Sequence, residues 1–142
     1  MTTHCRPKHC MRHLLRLLVV VVFAFVQPPA HAQSGTAAGQ KFPDVLSAKV
    51  TARGAQAFDF DVTVSSPYDT PQRYADAFRV MGKDHKVFGE RILFHDHAGE
   101  QPFTRDLYGV KIPAGVRTVV IQARDQKFGY GGKTIEVALP GR

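Results

Sequence analysis

Phe58-Asp59-Phe60-Asp61-Val62-Thr63-Val64-Ser65 alternates apolar and polar side chains without a break over eight residues. Successive residues of an extended chain point to opposite sides, so this run puts Phe58, Phe60, Val62 and Val64 on one face and acids and hydroxyls on the other. One dry face and one wet face is the pattern of an antiparallel strand at the surface of a sheet. The rest of the chain is organised around it.

On the N-terminal side, Val45 to Thr51 reads as a preceding strand closed by Arg53-Gly54. On the C-terminal side, Ser66-Pro67-Tyr68-Asp69-Thr70-Pro71 carries turn chemistry and ends the alternation. Tyr74 to Met81 is a third strand, and Gly82-Lys83-Asp84-His85 a hairpin turn. Lys86 to Phe94 is a fourth, with Phe88, Ile92 and Phe94 expected inward and Gly89 a candidate bulge. Phe103 to Ile112 and Val116 to Arg124 flank the tight turn Pro113-Ala114-Gly115. Asp125 to Gly132 is a glycine-rich loop, and Lys133 to Leu139 closes the domain with Ile135, Val137 and Leu139 inward. No window carries a helical period. The expected fold is all-β: one seven-stranded antiparallel β-sandwich over residues 43–140.

The order strand, Ile112-Pro113-Ala114-Gly115, strand, glycine-rich loop, strand over Ile112 to Leu139 resembles immunoglobulin-like and fibronectin type III-like domains. That resemblance implies a sandwich and no particular activity. The run His95 to Arg105 is also similar to one in small exported bacterial proteins of uncharacterised role.

The first 32 residues belong to a different physical class. Arg6, Lys8, Arg12 and Arg16 precede an unbroken apolar run, Leu17 to Val26, and the triplet Ala30-His31-Ala32 follows. A basic start, an apolar middle and a small-x-small site make a secretory signal peptide, with cleavage expected after Ala32. The apolar run is shorter than the roughly 20 residues a spanning helix needs, so no membrane span is expected after cleavage. Residues 33–42 read as a flexible leader. Both cysteines, Cys5 and Cys10, fall in the signal, and Cys10 precedes the apolar run, where it is not placed for lipid attachment. The expected location is the bacterial periplasm, or secretion.

The formal charge of +7 falls once the signal is removed. Beyond Ala32, fifteen basic residues stand against twelve acidic ones, dispersed along the chain. A nucleic-acid interface would need a basic stripe, so none is expected.

If the strands run alternately up and down, loops 66–73, 95–102 and 125–132 share one pole and the tight turns share the other. Binding residues tend to sit on loops held by a rigid scaffold. The candidate binding pole therefore gathers Tyr68, Asp69, Arg105, Asp125 and Tyr130, together with Arg73, Lys127 and Phe128, for an unidentified protein or small-molecule partner. His85 lies about 30 Å from His95 along an extended strand, at the other end.

His95-x-His97 offers two imidazoles on one side of an extended segment, and Glu100 or Asp125 is a candidate third ligand, so a copper or zinc accessory protein is the alternative reading. The competing reading is a solvent-exposed turn stabilised by Asp96 or Glu100. Glu100 and Arg105 form either a ligand-binding pair or an ion-pair staple. Asp76 shares a face with Tyr74, Phe78 and Val80, and if buried needs a partner such as Arg91 or Arg105. Phe128-Gly129-Tyr130-Gly131-Gly132 is either an adaptable recognition loop or a hairpin connection whose aromatics cap the core. No nucleophile elbow, thiol, phosphate loop or dinucleotide fingerprint is present, and no enzyme is expected. The one catalytic arrangement to weigh is a hydrolase using His97 and Asp125.

Overall fold

The computed structural model describes residues 39–142. The expected signal peptide, with its expected cleavage site after Ala32, and both cysteines lie outside the described residues. Eight strands follow in order: β1 (Asp44–Ala52), β2 (Ala57–Ser65), β3 (Ala75–Met81), β4 (Val87–Ile92), β5 (Phe103–Lys111), β6 (Thr118–Asp125), β7 (Gly129–Tyr130) and β8 (Ile135–Ala138). All pairings are antiparallel. One sheet has the order β1-β2-β5, the other β4-β3-β6-β7, with β8 also on β6.

β2 behaves as its alternation demands: Phe58, Phe60, Val62 and Val64 are all buried. They share one core cluster with Phe78 and Val80 of β3 and with Val119, Ile121 and Ala123 of β6. Each of these side chains larger than alanine contributes about 1.5–3 kcal/mol on burial, which makes this seam the main source of stability.

The eighth strand arises because the connection after β6 turns back at once. Gly129 and Tyr130 pair with Asp125 and Arg124 before the chain reaches β8. Periodicity has no power over a two-residue strand.

The alternation that turns Phe88, Ile92 and Phe94 inward does not hold through β4. Val80 pairs with Gly89 but Met81 with Val87, so Phe88 is an extra residue and the parity reverses. Phe88 stays against the core, Leu93 is 5% exposed, while Ile92 is 40% and Phe94 84% exposed. Gly89 borders the bulge, as expected, and has a second reason to be glycine. A Cβ there would stand 3.1 Å from Val110 of β5, so its absence lets the two sheets close at this edge. A second register shift, between Ala75 and Ala77, takes Asp76 out of the inward row. Its carboxylate pairs with Arg124 at 2.8 Å, not with Arg91 or Arg105, and Arg124 also reaches Glu90 at 3.1 Å.

Candidate functional site

Loops 66–73, 95–102 and 125–132 meet at one end of the sandwich, and the contacts that join them are specific. Asp69 is buried in the first loop. Its Oδ1 accepts a hydrogen bond from the Ala75 amide at 3.0 Å, and its Oδ2 accepts one from the His97 amide at 3.1 Å. One carboxylate thus holds the second loop to the first. Burial pushes its pKa up, against the opposing hydrogen bonds from Ser66, Ala75 and His97. Gln101 makes a parallel tie. The Ser66 amide donates to Gln101 Oε1 at 2.7 Å, and Gln101 Nε2 donates to Ser66 Oγ and to the His97 carbonyl, each at 3.2 Å. Pro102, in a cis peptide with Gln101, then leads into β5.

The third loop is held by a second buried carboxylate. Asp125 accepts hydrogen bonds from the Lys127 amide at 2.9 Å and the Phe128 amide at 2.8 Å, which fold the loop back toward β7. It also accepts one from Arg73 Nε at 3.0 Å. Arg73 is the hub of this corner. Its guanidinium lies 4.2 Å from the Tyr68 ring centroid and 4.8 Å from that of Phe128, and it donates to the Lys41 carbonyl. Desolvation raises the pKa of Tyr68.

The last residues of the leader join the pole. Gln40 donates to the Ser65 carbonyl at 3.2 Å, and the Phe42 ring occupies the place a side chain on Gly131 would fill. Gly132 likewise makes room for the Pro43 carbonyl. The two glycines are therefore a seat for the incoming chain, and Phe42 meets Phe128 edge to face at 6.3 Å.

His97 is not in an exposed turn: it is 2% exposed. Its ring stacks on Phe103 with centroids 3.9 Å apart, and its Nδ1 has no hydrogen-bond partner. Asp69 Oδ2 is 3.9 Å from that nitrogen, beyond hydrogen-bond reach. Desolvation, with Arg105 and His95 adding repulsion, lowers the imidazole pKa and favours the neutral ring. His95 is exposed, and its Nδ1 is 2.8 Å from the Asp96 carbonyl. The two rings lie 4.8 Å apart. Their expected third partners are engaged elsewhere, Glu100 with Arg105 at 2.8 Å and Asp125 with Arg73. Among the described residues no three His, Cys, Asp or Glu converge as a metal site. The His97–Asp125 pairing is not assembled either, since the carboxylate nearest His97 is Asp69. Glu100 and Arg105 are joined as the staple reading has it, and Arg105 also lies 5.5 Å from the Phe103 ring centroid.

Tyr130 departs from the expected pole. Pairing with Arg124 in β7 carries it onto the outer face of the second sheet, where the Arg79 guanidinium lies 3.8 Å from its ring centroid. Among the residues the pole shows to solvent are Phe94, His95, Glu100, the 42%-exposed Phe128 and the lysines Lys41 and Lys127 beside it. Lys41 Nζ is 4.7 Å and Lys127 Nζ 5.6 Å from the Phe128 ring centroid. Sequence reasoning missed Ser66, Gln101 and the leader residues; the Gly131-Gly132 pair was the one available signal that another segment approaches closely.

No family model and no solved structure matches the chain. A protein of Halomicrobium mukohataei with the name "Putative lipoprotein" is 33% identical over 94 residues, which cover 66% of this chain and 46% of that protein. The chain thus spans about half the length of the curated relative it matches. No helix among the described residues is long and apolar enough to cross a membrane.

Proposed function

We propose that the chain is an exported, non-enzymatic β-sandwich of the fibronectin type III-like kind that binds a partner or ligand through its loop pole. Support for the fold comes from the strand order. The fourth strand lies on the third, whereas in constant immunoglobulin domains it sits on the opposite sheet beside the fifth. Support for export comes from the basic start, apolar run and Ala30-His31-Ala32 site, and from the name of the relative. The cysteines of this chain precede its apolar run, so release to the periplasm by cleavage after Ala32 is the route proposed, rather than lipid attachment.

The observation that carries the binding reading is the cross-tied pole. Three loops are fixed by two buried carboxylates, and aromatic side chains are left outside. A rigid support under exposed aromatics lowers the entropy cost of recognition. The sealed His97 and the engaged Asp125 and Glu100 favour recognition over catalysis or copper and zinc binding.

Photo-crosslinking in the exporting cell tests this. A photoreactive residue at Phe94 or Phe128 is expected to trap one discrete partner, and the same group at Leu46, on β1, none. Equal products from all three positions, or none from Phe94 and Phe128, would sink the proposal.

A further inference from the structure

The charge surplus beyond Ala32 is not evenly placed. At the loop pole Lys41, Arg73, Arg105, Lys127 and Lys133 are matched by Asp44, Asp69, Asp96, Glu100 and Asp125. Along the strands Lys49, Arg79, Arg91 and Arg124 are matched by Asp61, Asp76, Glu90 and Asp106. At the turn pole Arg53, Lys83, Lys86, Lys111, Arg117 and Arg142 face only Asp59, Asp84 and Glu136. The entire surplus of three positive charges, fifteen bases against twelve acids, sits at that end.

The same end is concave. Two hollows share Arg117: one of about 430 Å³ with Phe58 in its wall, and one of about 530 Å³ lined by Phe88, Val116, Lys83, Lys86 and Thr118. Their size is that of small-molecule sites. In the second hollow Lys83 is paired with Glu136 at 2.7 Å, and Asp84, its one acid, is turned onto its own hairpin, accepting from the Lys86 amide at 3.2 Å. The Lys86 and Arg117 side chains make no ion pair or hydrogen bond among the described residues. Apolar wall and unpaired cations therefore adjoin. An anion without an apolar body would leave Phe88 and Val116 uncovered, and an apolar body without a charge would leave the cations unmatched.

We propose that the hollow between the β3–β4 turn and the Pro113–Gly115 turn binds small amphiphilic anions, with a carboxylate, sulfonate or phosphate head on an aromatic or branched apolar body. The head lies between Lys86 and Arg117, and the body lies on Phe88 and Val116. Charge-assisted contacts fix the orientation, and apolar burial supplies the rest. The site is at the opposite end from the proposed recognition loops and stands independently of them.

The test is a fluorescence titration of the signal-less domain with dansylglycine, an aromatic carboxylate, and dansylamide, its uncharged counterpart. Dansylglycine is expected to bind saturably in low salt, and dansylamide at least about tenfold more weakly, the worth of one charge-assisted contact. Lys86→Glu and Arg117→Glu are each expected to weaken dansylglycine by about tenfold or more. Lys127→Glu, at the far pole, is expected to leave it unchanged, with circular dichroism confirming that all three variants fold. No saturable binding, equal binding of the two probes, insensitivity to both turn-pole reversals, or loss with Lys127→Glu would each overturn the proposal.

Discussion

The two ends of this sandwich are held together by different means. At the turn pole the backbone closes on itself: the Gly82 amide donates to the Lys86 carbonyl at 2.8 Å, and the Val116 amide to the Pro113 carbonyl at 3.0 Å. Asp84 adds an acceptor for the Lys86 amide and Arg142 donates to the Ile112 and Pro113 carbonyls, but neither turn uses the Lys86 or Arg117 side chain, so both remain available. At the loop pole backbone turns also form, such as the Asp69 amide to the Ser66 carbonyl at 2.9 Å and the Glu100 amide to the His97 carbonyl at 3.0 Å, but they do not join one loop to the next. Buried side chains, Asp69, Gln101 and Asp125, enter the gaps and satisfy amides that would otherwise be orphaned. At the loop pole Asp69 and Asp125 are buried as ties, while Lys41 and Lys127 stay exposed; at the turn pole Arg53, Lys83 and Arg142 are engaged, and Lys86 and Arg117 are left for a ligand.

That difference breaks first at Asp125. Asp125→Ala is expected to cost about 2–4 kcal/mol in urea unfolding, because it orphans two loop amides and the inward side of Arg73. Lys86→Ala at the other end is expected to change stability by no more than about 0.5 kcal/mol. Similar small losses for both would mean that the carboxylate is not the structural tie described above. Asp69→Asn is the milder case. It keeps one acceptor and the shape, so about 1–2 kcal/mol is expected, with the amide exchange of His97 rising more than that of any turn-pole residue.

The core was legible where periodicity is unbroken. β2 and β6 could be assigned residue by residue, because side chains alternate for as long as no residue is inserted. The same rule failed at β4 and at Asp76. A bulge is a single extra residue that reverses every later side chain; Gly89 pointed to one in β4, but not to Phe88 as the extra residue or to the reversal it brings. The meeting of the three loops followed from strand parity alone. Their chemistry did not, since His95 and His97 look alike in sequence, and only the stacking on Phe103 separates an exposed ring from a sealed one. Tyr130 was misplaced because a two-residue strand is set by pairing, not by pattern.

The sealed imidazole gives the loop pole a pH dependence of its own. The folded-state pKa of His97 lies below its usual 6.5, so the unfolded chain binds more protons in that window. Its contribution to stability is present above about pH 6.5 and is lost as the pH falls toward the lowered value, by at most about 1.4 kcal/mol per pH unit. Asp69 has the opposite sign. Its raised pKa means that its charged form is penalised, and relief comes as the pH falls through that value toward 3.8. The difference between wild type and His97→Gln, measured by urea unfolding from pH 8 to pH 5, isolates the histidine. Wild type is expected to lose stability relative to the variant on acidification; parallel curves would show that the ring is not held neutral by burial.

The smallest expected effect on stability is the most informative for recognition. Phe94 is 84% exposed at the end of β4, so Phe94→Ser removes almost no buried area and is expected to shift stability by less than about 0.5 kcal/mol. A single exposed aromatic is ordinary on a protein surface, so a role for Phe94 in recognition has to be read from the partner and not from its exposure. Loss of partner crosslinking at Phe128 in the Phe94→Ser background, at unchanged stability, would place both rings on one recognition surface. Crosslinking that survives the change would confine the surface to the Phe128 corner, where Lys41, Arg73 and Lys127 lie around that ring.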